Sequence, residues 1–187
     1  TGRNLVQAQI LVAQGKKLTD PEIGIGKQAD VQMRGFAIQC RITTEDPLNG
    51  FAPDYGVLQA YRSPGGFGVR LDAGSAFGGA VITPHYDSLL VKITTWGLTF
   101  PAAAHVMDRS LQEFRVRGVK TNISFLENLM RNPEFLGGSC DTSFIEAHPE
   151  LAQAVVKKDR GTKLLKYLGE TVVNGAPKIV KPLRSAD

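Results

Sequence analysis

The residues with the clearest capacity for chemistry lie together at residues 63–70, which read SPGGFGVR. Gly65, Gly66 and Gly68 allow backbone conformations closed to other residues, and a glycine-rich loop lets backbone N–H groups approach a small anion. Arg70 adds a permanent positive charge and five hydrogen-bond donors in a rigid fork. No Lys-Ser or Lys-Thr pair follows and the spacing is not GxGxxG, so this segment is neither a P-loop nor a dinucleotide fingerprint.

Both features also have purely structural interpretations. The glycines of residues 65–68 suit a hairpin that only reverses the chain between two strands. Arg70 follows Val69 within an apolar strand pattern, where a guanidinium is either half of a structural ion pair or a fixed cation aimed at a ligand. From residue types alone, the structural interpretations of the loop and of Arg70 are favoured.

Other polar residues give weaker signals. His85, Tyr86 and Asp87 suggest a metal or an acid–base pair, but adjacent strand residues point to opposite faces, which favours a turn and a hydrogen bond that starts a strand. Glu45 and Asp46 favour a solvated turn over a glycosidase pair, whose carboxylates must straddle a bond. No Ser or Cys lies in a GxSxG-like setting, so nothing supports nucleophilic hydrolysis, and we expect no metal site.

Hydrophobic periodicity predicts the strands that position residues 63–70. Apolar and polar side chains alternate in residues 34–43 and again in residues 89–96, as in half-buried strands. Shorter strands are expected at residues 56–62, 67–71 and 80–82. Several short strands with tight connections favour an antiparallel sheet over a βαβ array.

Helical spacing predicts the remaining elements. The expected helices lie at residues 4–14, 100–117, 125–130 and 133–136, followed by a short helix at 159–168, a strand at 171–173 and a turn and tail at 174–187. Thr99 and Asn122 are expected to cap two of these helices. Together the elements predict an α+β fold, mainly an antiparallel sheet of short strands with helices packed on one side. We expect one domain over residues 1–151 and a linker or the start of a further region over 152–187.

Composition narrows the class of protein. The net charge of +4 is spread along the 187 residues, so nucleic acid is not an expected partner. No apolar run approaches the roughly 20 residues that cross a bilayer, so no membrane is expected either. Cys40 and Cys140 have no metal-site spacing and indicate a reducing compartment such as the cytoplasm. The chain opens within a helical pattern without a methionine, which predicts a longer polypeptide.

The order and spacing of several motifs resemble the C-terminal subdomain of biotin carboxylases. These motifs are LVQAQ at residues 5–9, AIQCRI at 37–42, EDP at 45–47, PGGFGVR at 64–70, YDSL at 86–89 and GVKTN at 118–122. The likeness covers residues 1–151. The residues at 62–63, 71–72, 82–85 and 95–100 are more similar to the pyruvate carboxylase family than to the acyl-CoA carboxylases.

This resemblance implies an ATP-driven ligase that joins bicarbonate to the ureido nitrogen of biotin. In the family carboxyphosphate forms, biotin then loses a proton, and the resulting negative charge lies on the ureido oxygen. The family's arginine that closes GGFGVR stabilises this charge as a catalytic residue, and it corresponds to Arg70, which reverses the structural interpretation above. The resemblance gives Gly65, Gly66, Phe67 and Gly68 a substrate-binding role, because they position Arg70 beside biotin and bicarbonate.

Other parts of the family's machinery do not occur in this sequence. The metal- and bicarbonate-binding stretch ExNxRxQVEH, the ATP-grasp elements, the biotinylation motif AMKM and the carboxyltransferase domain are missing from it. The resemblance therefore implies that biotin, ATP and Mg serve the full enzyme and that this chain alone is inactive.

The implied partners are the rest of the carboxylase polypeptide, the biotin carboxyl carrier domain and a second copy of the chain. The family's biotin carboxylase units pair through this C-terminal region, and the candidate contact is the surface formed by the helices after Thr99 and residues 115–120, although a solvated helix face remains an alternative. An acyl-CoA or acetyl-CoA carboxylase and a non-catalytic dimerisation module remain open as alternative functions. The mitochondrial matrix is the alternative to the cytoplasm.

Overall fold

The structure is a computed structural model that describes residues 1–74, 76–153 and 160–175. The chain divides into two compact units, Thr1–Ala154 and Val155–Asp187. The elements of the first unit are α1 (Leu5–Ala13), β1 (Phe36–Thr43), β2 (Glu45–Asp46), β3 (Ala52–Pro53), β4 (Gly56–Val57), β5 (Ala60–Arg62), β6 (Val69–Ala73), β7 (Val81–Ile82), β8 (Leu89–Gly97), α2 (Phe100–Glu113), β9 (Arg115–Arg117), α3 (Ile123–Arg131), α4 (Pro133–Leu136) and α5 (Phe144–Ala147). The second unit contains α6 (Arg160–Asn174). The expected domain boundary after Leu151 stays a prediction.

The central sheet has three antiparallel strands in the order β1-β8-β6. On the face that packs against the core, Ile93 of β8 lies opposite Cys40 of β1 and Leu71 of β6, which defines the register of the three strands. Every second residue of β1 from Ile38 to Ile42 is buried, as the alternating pattern predicts. The other face of the same three strands carries polar side chains, and it is this face that presents Arg70.

Helix α2 covers the core face of the sheet. Its Ala103, Ala104, Met107 and Leu111 are completely buried. The helix approaches β8 so closely that a Cβ on Gly97 would lie 2.5 Å from the Ala103 nitrogen, so only glycine fits there. The α+β arrangement with an antiparallel sheet is therefore confirmed. Among the described residues, none of the helices combines the length and apolar character that crossing a membrane requires.

The prediction for the end of the first long helix is wrong. Helix α2 begins after Thr99, whose hydroxyl accepts the Ala102 N–H at 3.3 Å as expected of a cap, but it ends at Glu113. Residues 115–117 instead form β9, in which Val116 pairs with Tyr61 of β5. The half-buried Val116 between two exposed arginines is a strand pattern that the preceding helical stripe conceals.

Two other predicted strands also differ. The single strand expected over residues 56–62 is divided because the chain changes partner: Leu58 donates its N–H to Ala80 at 2.9 Å, and Gln59 donates to Arg117 at 2.8 Å. Residues 171–173 continue helix α6 rather than forming a strand. The predicted tail over residues 176–187 lies outside the described residues.

Asn122 does not cap α3 as predicted, because it fastens the end of β1 instead. Its side-chain oxygen accepts the Thr43 N–H at 3.0 Å, and its Nδ2 donates to the Arg41 carbonyl at 2.9 Å. Nearby, the Lys120 ammonium is paired with Asp46, and the Lys120 N–H donates to Asp54 at 2.6 Å. The GVKTN motif is therefore tied into the sheet by side-chain and backbone bonds.

Candidate functional site

Arg70 projects from the polar face of the central sheet. It is the second residue of β6 and lies opposite Thr94 of β8 in the strand register. Thr94 is itself engaged, since its hydroxyl accepts a hydrogen bond from Gln39 of β1 at 3.1 Å. The Arg70 side chain is 77% exposed, so its charge is presented to whatever approaches this face of the sheet.

Asp72 holds the Arg70 guanidinium along one edge. Arg70 Nε and Nη2 donate to the same Asp72 Oδ1 at 3.1 and 2.8 Å. The two residues share a face because side chains two positions apart in a strand point the same way. Two of the five guanidinium N–H groups are thereby used, which leaves the two on Nη1 and one on Nη2 for a further acceptor. This arrangement suits an oxygen anion that meets the outer edge of the guanidinium.

The glycine loop at residues 65–68 is not the predicted hairpin. Strand β5 before it pairs with β9, and β6 after it pairs with β8, so the loop carries the chain between two different ladders. Gly68 has φ +74° and lies so close to β8 that a Cβ would be 2.9 Å from the Trp96 oxygen. The Trp96 N–H donates to the Gly68 oxygen at 2.9 Å. This bond fixes where β6 starts, and therefore where Arg70 stands.

The loop itself is open to solvent. Gly65, Gly66 and Gly68 are exposed, and Phe67 at the tip of the loop is 103% exposed, the value of a side chain that nothing covers. Gly66 has φ +115°, a conformation that side-chain-bearing residues rarely adopt. The loop therefore presents exposed backbone and one uncovered aromatic ring, three residues before Arg70 in the chain. A substrate-binding role for these four residues remains a prediction.

Sequence reasoning missed the other charged residues on this face. Lys92 of β8 lies opposite Asp72 on one side and Arg41 of β1 on the other, so one row of the sheet reads Arg41, Lys92, Asp72. With Arg70, the face carries three cations and one anion. A usable signal was present, since Asp72 follows Arg70 at the spacing of two that places strand residues on one face. The pairing that brings in Lys92 and Arg41 is set by strand register and left no local signal.

The remaining polar candidates do not join Arg70. His85 and Tyr86 are exposed in a turn. They are not strand residues, so the rule that neighbouring side chains point to opposite faces of a sheet does not apply to them. Asp87 accepts the Leu89 N–H at 3.2 Å, so its side chain is bonded to backbone within this loop.

Glu45 and Asp46 do not form the expected solvated turn. Glu45 accepts hydrogen bonds from Thr43 and Ser88 at 3.0 and 2.8 Å, and Asp46 is buried beside Lys120. The hydrogen bond from Lys120 lowers the pKa of Asp46 below its ordinary value. Both carboxylates hold loops together and are not available to a substrate.

Cys40 and His148 also belong to the structural framework. Cys40 is buried on the core face of β1, and this burial raises the pKa of its thiol to about 12. His148 lies between two carboxylates, with its Nδ1 2.8 Å from Glu150 and its Nε2 3.2 Å from Glu134. In the part of the chain that the structure describes, no group of three or more His, Cys, Asp or Glu side chains is placed to hold a metal ion.

Comparison with known proteins identifies the family. The model of the biotin carboxylase C-terminal domain matches residues 39–147, which include the sheet, the glycine loop and helices α2 to α5. The chain therefore belongs to the biotin carboxylase C-terminal domain family. The family assignment made from the motif series is confirmed.

The curated relatives that match the chain include pyruvate carboxylases of bacteria and mitochondria. The chain is 58% identical over 186 residues to pyruvate carboxylase of Bacillus subtilis, covering 100% of this chain and 16% of that protein. It is 54% identical over 175 residues to mitochondrial pyruvate carboxylase of Homo sapiens, covering 94% of this chain and 15% of that protein. The chain thus spans about one sixth of the length of the curated relatives it matches.

Solved structures extend the likeness to three dimensions. The complete multifunctional pyruvate carboxylase of Rhizobium etli matches 100% of this chain over 18% of its own, with a TM-score of 0.78 and 49% identity. The biotin carboxylase domain dimer of Hydrogenobacter thermophilus 2-oxoglutarate carboxylase matches 83% of this chain over 33% of its own, with a TM-score of 0.71 and 37% identity. That structure is a complex with MgADP, ADP and bicarbonate.

Proposed function

We propose that this chain is one wall of the biotin carboxylase site in a multidomain pyruvate carboxylase. That enzyme is an ATP-dependent ligase that carboxylates biotin with bicarbonate and then converts pyruvate to oxaloacetate. The proposal is supported by the pyruvate carboxylase relatives, of which the chain covers about one sixth. The observation that carries it is the exposed guanidinium of Arg70 on the polar face of the sheet, with one edge held and the other free.

Arg70 supplies the electrostatic part of the proposed chemistry. Biotin provides the ureido nitrogen that accepts the carboxyl group, and removal of its proton places negative charge on the ureido oxygen. The free Nη1 and Nη2 donors of Arg70 would meet that oxygen, and their charge persists at any working pH. A preorganised donor at a developing oxyanion contributes about 3 kcal/mol, because removal of one such donor slows catalysis by roughly 100- to 1000-fold.

The glycine loop is proposed to shape the place where biotin lies. Gly65 to Gly68 leave their backbone accessible, and the bare ring of Phe67 offers an apolar surface next to Arg70. A fused ring system with one polar edge would place that edge at the guanidinium and its apolar side against Phe67. The donors of Arg70 and the acceptor oxygen of a cyclic urea are chemically matched.

Several parts of the reaction are assigned to other segments of the proposed enzyme. ATP and Mg would be bound by the rest of the polypeptide, and biotin would arrive on its carrier domain. The face of α2 together with residues 115–120 is the proposed contact with a second copy, supported by the dimeric biotin carboxylase domain of the 2-oxoglutarate carboxylase. Relatives include bacterial and mitochondrial proteins, so a cytoplasmic location, with the mitochondrial matrix as alternative, stays a prediction.

The test is Arg70→Ala in the full-length enzyme that contains this chain. We expect the rate of free-biotin carboxylation to fall by roughly 100-fold, while bicarbonate-dependent ATP cleavage changes little, because the arginine acts after bicarbonate is activated. Arg70→Lys should restore only part of the rate, since a lysine is a point charge without the planar fork.

The matched control is Arg62→Ala, which removes an exposed arginine from β5 in the separate β5–β9 ladder. It should leave both rates unchanged. An Arg70→Ala enzyme that carboxylates biotin at the normal rate would refute the proposed role of Arg70.

A further inference from the structure

Asp72 is placed to control which edge of Arg70 faces a ligand. The guanidinium donates from Nε and Nη2 to one Asp72 oxygen, at 3.1 and 2.8 Å. These two nitrogens lie along the same side of the arginine fork, so the contact fixes the plane of the guanidinium as well as its position. The outer edge, formed by Nη1 and the second N–H of Nη2, is left pointing away from the carboxylate.

This contact matters because neither residue is held by packing. The side chains of Arg70 and Asp72 are 77% and 41% exposed, and a free arginine side chain has many accessible rotamers. The hydroxyl of Thr94, the residue opposite Arg70, accepts a hydrogen bond from Gln39. The fixed orientation of the guanidinium in this structure therefore comes from Asp72.

Asp72 stands at the end of a row across the sheet whose other two members, Lys92 and Arg41, are cations. Lys92 lies opposite Asp72 in the strand register, and Arg41 lies opposite Lys92 on the next strand. The Asp72 oxygen accepts and the guanidinium donates, because arginine offers only hydrogen-bond donors. The Asp72 carboxylate accepts its two hydrogen bonds from Arg70.

We propose that Asp72 is a positioning residue for biotin carboxylation, which holds the outer edge of the Arg70 fork toward the ureido oxygen. This inference rests on the proposed function of Arg70. Exposed ion pairs contribute little to folding, so the loss of Asp72 should be felt in the rate rather than in stability. An unheld arginine samples several rotamers, and only a fraction of them presents the productive edge.

The experiment compares Asp72→Asn and Asp72→Glu in the full-length enzyme. Asp72→Asn should lower kcat for free-biotin carboxylation about three- to fivefold, the range expected for an exposed ion pair. The KM for ATP, bicarbonate-dependent ATP cleavage and the thermal midpoint should not change. Asp72→Glu keeps the carboxylate and should recover at least half of the lost rate.

A control and a double variant separate positioning from general damage. Glu22→Gln removes a carboxylate of similar exposure, 47%, from the ion pair with Lys16, and it should leave kcat unchanged. If Asp72 acts only through Arg70, Arg70→Ala with Asp72→Asn should be no slower than Arg70→Ala alone.

The outcomes distinguish the two proposals. If Arg70→Ala slows carboxylation but Asp72→Asn is unchanged or faster, the positioning role is wrong and the role of Arg70 stands. A double variant slower than Arg70→Ala alone would also overturn positioning through Arg70. If Arg70→Ala itself has no effect, the proposed function fails and the inference about Asp72 fails with it.

Discussion

Two glycine-bearing turns of the same domain are held in opposite ways. At the turn after β9, Gly118 has φ +102°, and a Cβ there would lie 2.0 Å from the Val57 oxygen. Lys120 and Asn122 of that turn are bonded to Asp46, Asp54 and the end of β1. At the loop before β6, a Cβ on Gly65 would have no atom within 4 Å, and Phe67 is uncovered.

The contrast shows that two glycine motifs of the same family pattern, PGGFGVR and GVKTN, can have different roles in the structure. In the turn after β9, the N–H groups of Lys120 and Asn122 donate to Asp54 and Thr43, so this turn is tied to the rest of the domain. The open loop leaves donors and an aromatic ring unused beside a cation, so it is available to a ligand. Close backbone approach and hydrogen-bond partners separate the two turns, whereas their glycine content does not.

Among substitutions that test this difference between the two turns, we expect the largest loss of stability at Gly118. Gly118→Ala forces an alanine into a positive φ and against the Val57 carbonyl, and we expect it to lower the free energy of unfolding by about 3–5 kcal/mol. Urea denaturation measures the loss. Gly65→Ala is the matched control and should change stability by less than about 1 kcal/mol. Similar losses in the two variants would mean that the loop before β6 is as enclosed as the turn.

A smaller and pH-dependent effect is expected at Asp46. The Lys120 hydrogen bond lowers the pKa of Asp46 from 3.8, so the stability it contributes is present above that pH and is lost as pH falls through the lowered value. The same bond raises the pKa of Lys120 from 10.5, so its contribution is lost only as pH rises through the raised value. Asp46→Asn should therefore be less stable than the native protein at pH 7.

Denaturation of both proteins from neutral to strongly acidic pH measures this difference. The gap between them should narrow as the native Asp46 becomes protonated. With Lys120→Met already in place, Asp46→Asn should cost less than it does alone. A gap of constant size down to acidic pH would show that the ion pair does not tie the turn to the sheet.

The smallest effect on stability is expected at the tip of the open loop. Phe67→Ala removes a ring that contacts nothing, so the free energy of unfolding should change by less than about 0.5 kcal/mol. Phe125, which is 6% exposed and packs on Phe51 at a centroid distance of 5.0 Å, is the matched control. Phe125→Ala should cost about 3–5 kcal/mol. A large loss at Phe67 in thermal or urea unfolding would mean that this ring is part of the core.

The pattern of residues was sufficient for the elements whose type and buried face follow from their own periodicity. Alternation gave β1 and β8, helical stripes gave α2 and α3, and Thr99 gave the start of α2. The candidate site followed in part, because the glycines before Arg70 and its place in a strand are local features. The motif series also gave the family, since the order of motifs along a chain is a property of the sequence itself.

Tertiary structure decided which partner each segment and side chain meets. The change of ladder at Leu58, the strand at Arg115–Arg117 and the use of Asn122 to fasten β1 all depend on contacts between residues far apart in sequence. The alignment of Asp72 with Lys92 and Arg41 depends on strand register. A local pattern reports which side of an element is apolar, but it carries no information on what lies opposite, because that is set by the packing of the whole domain.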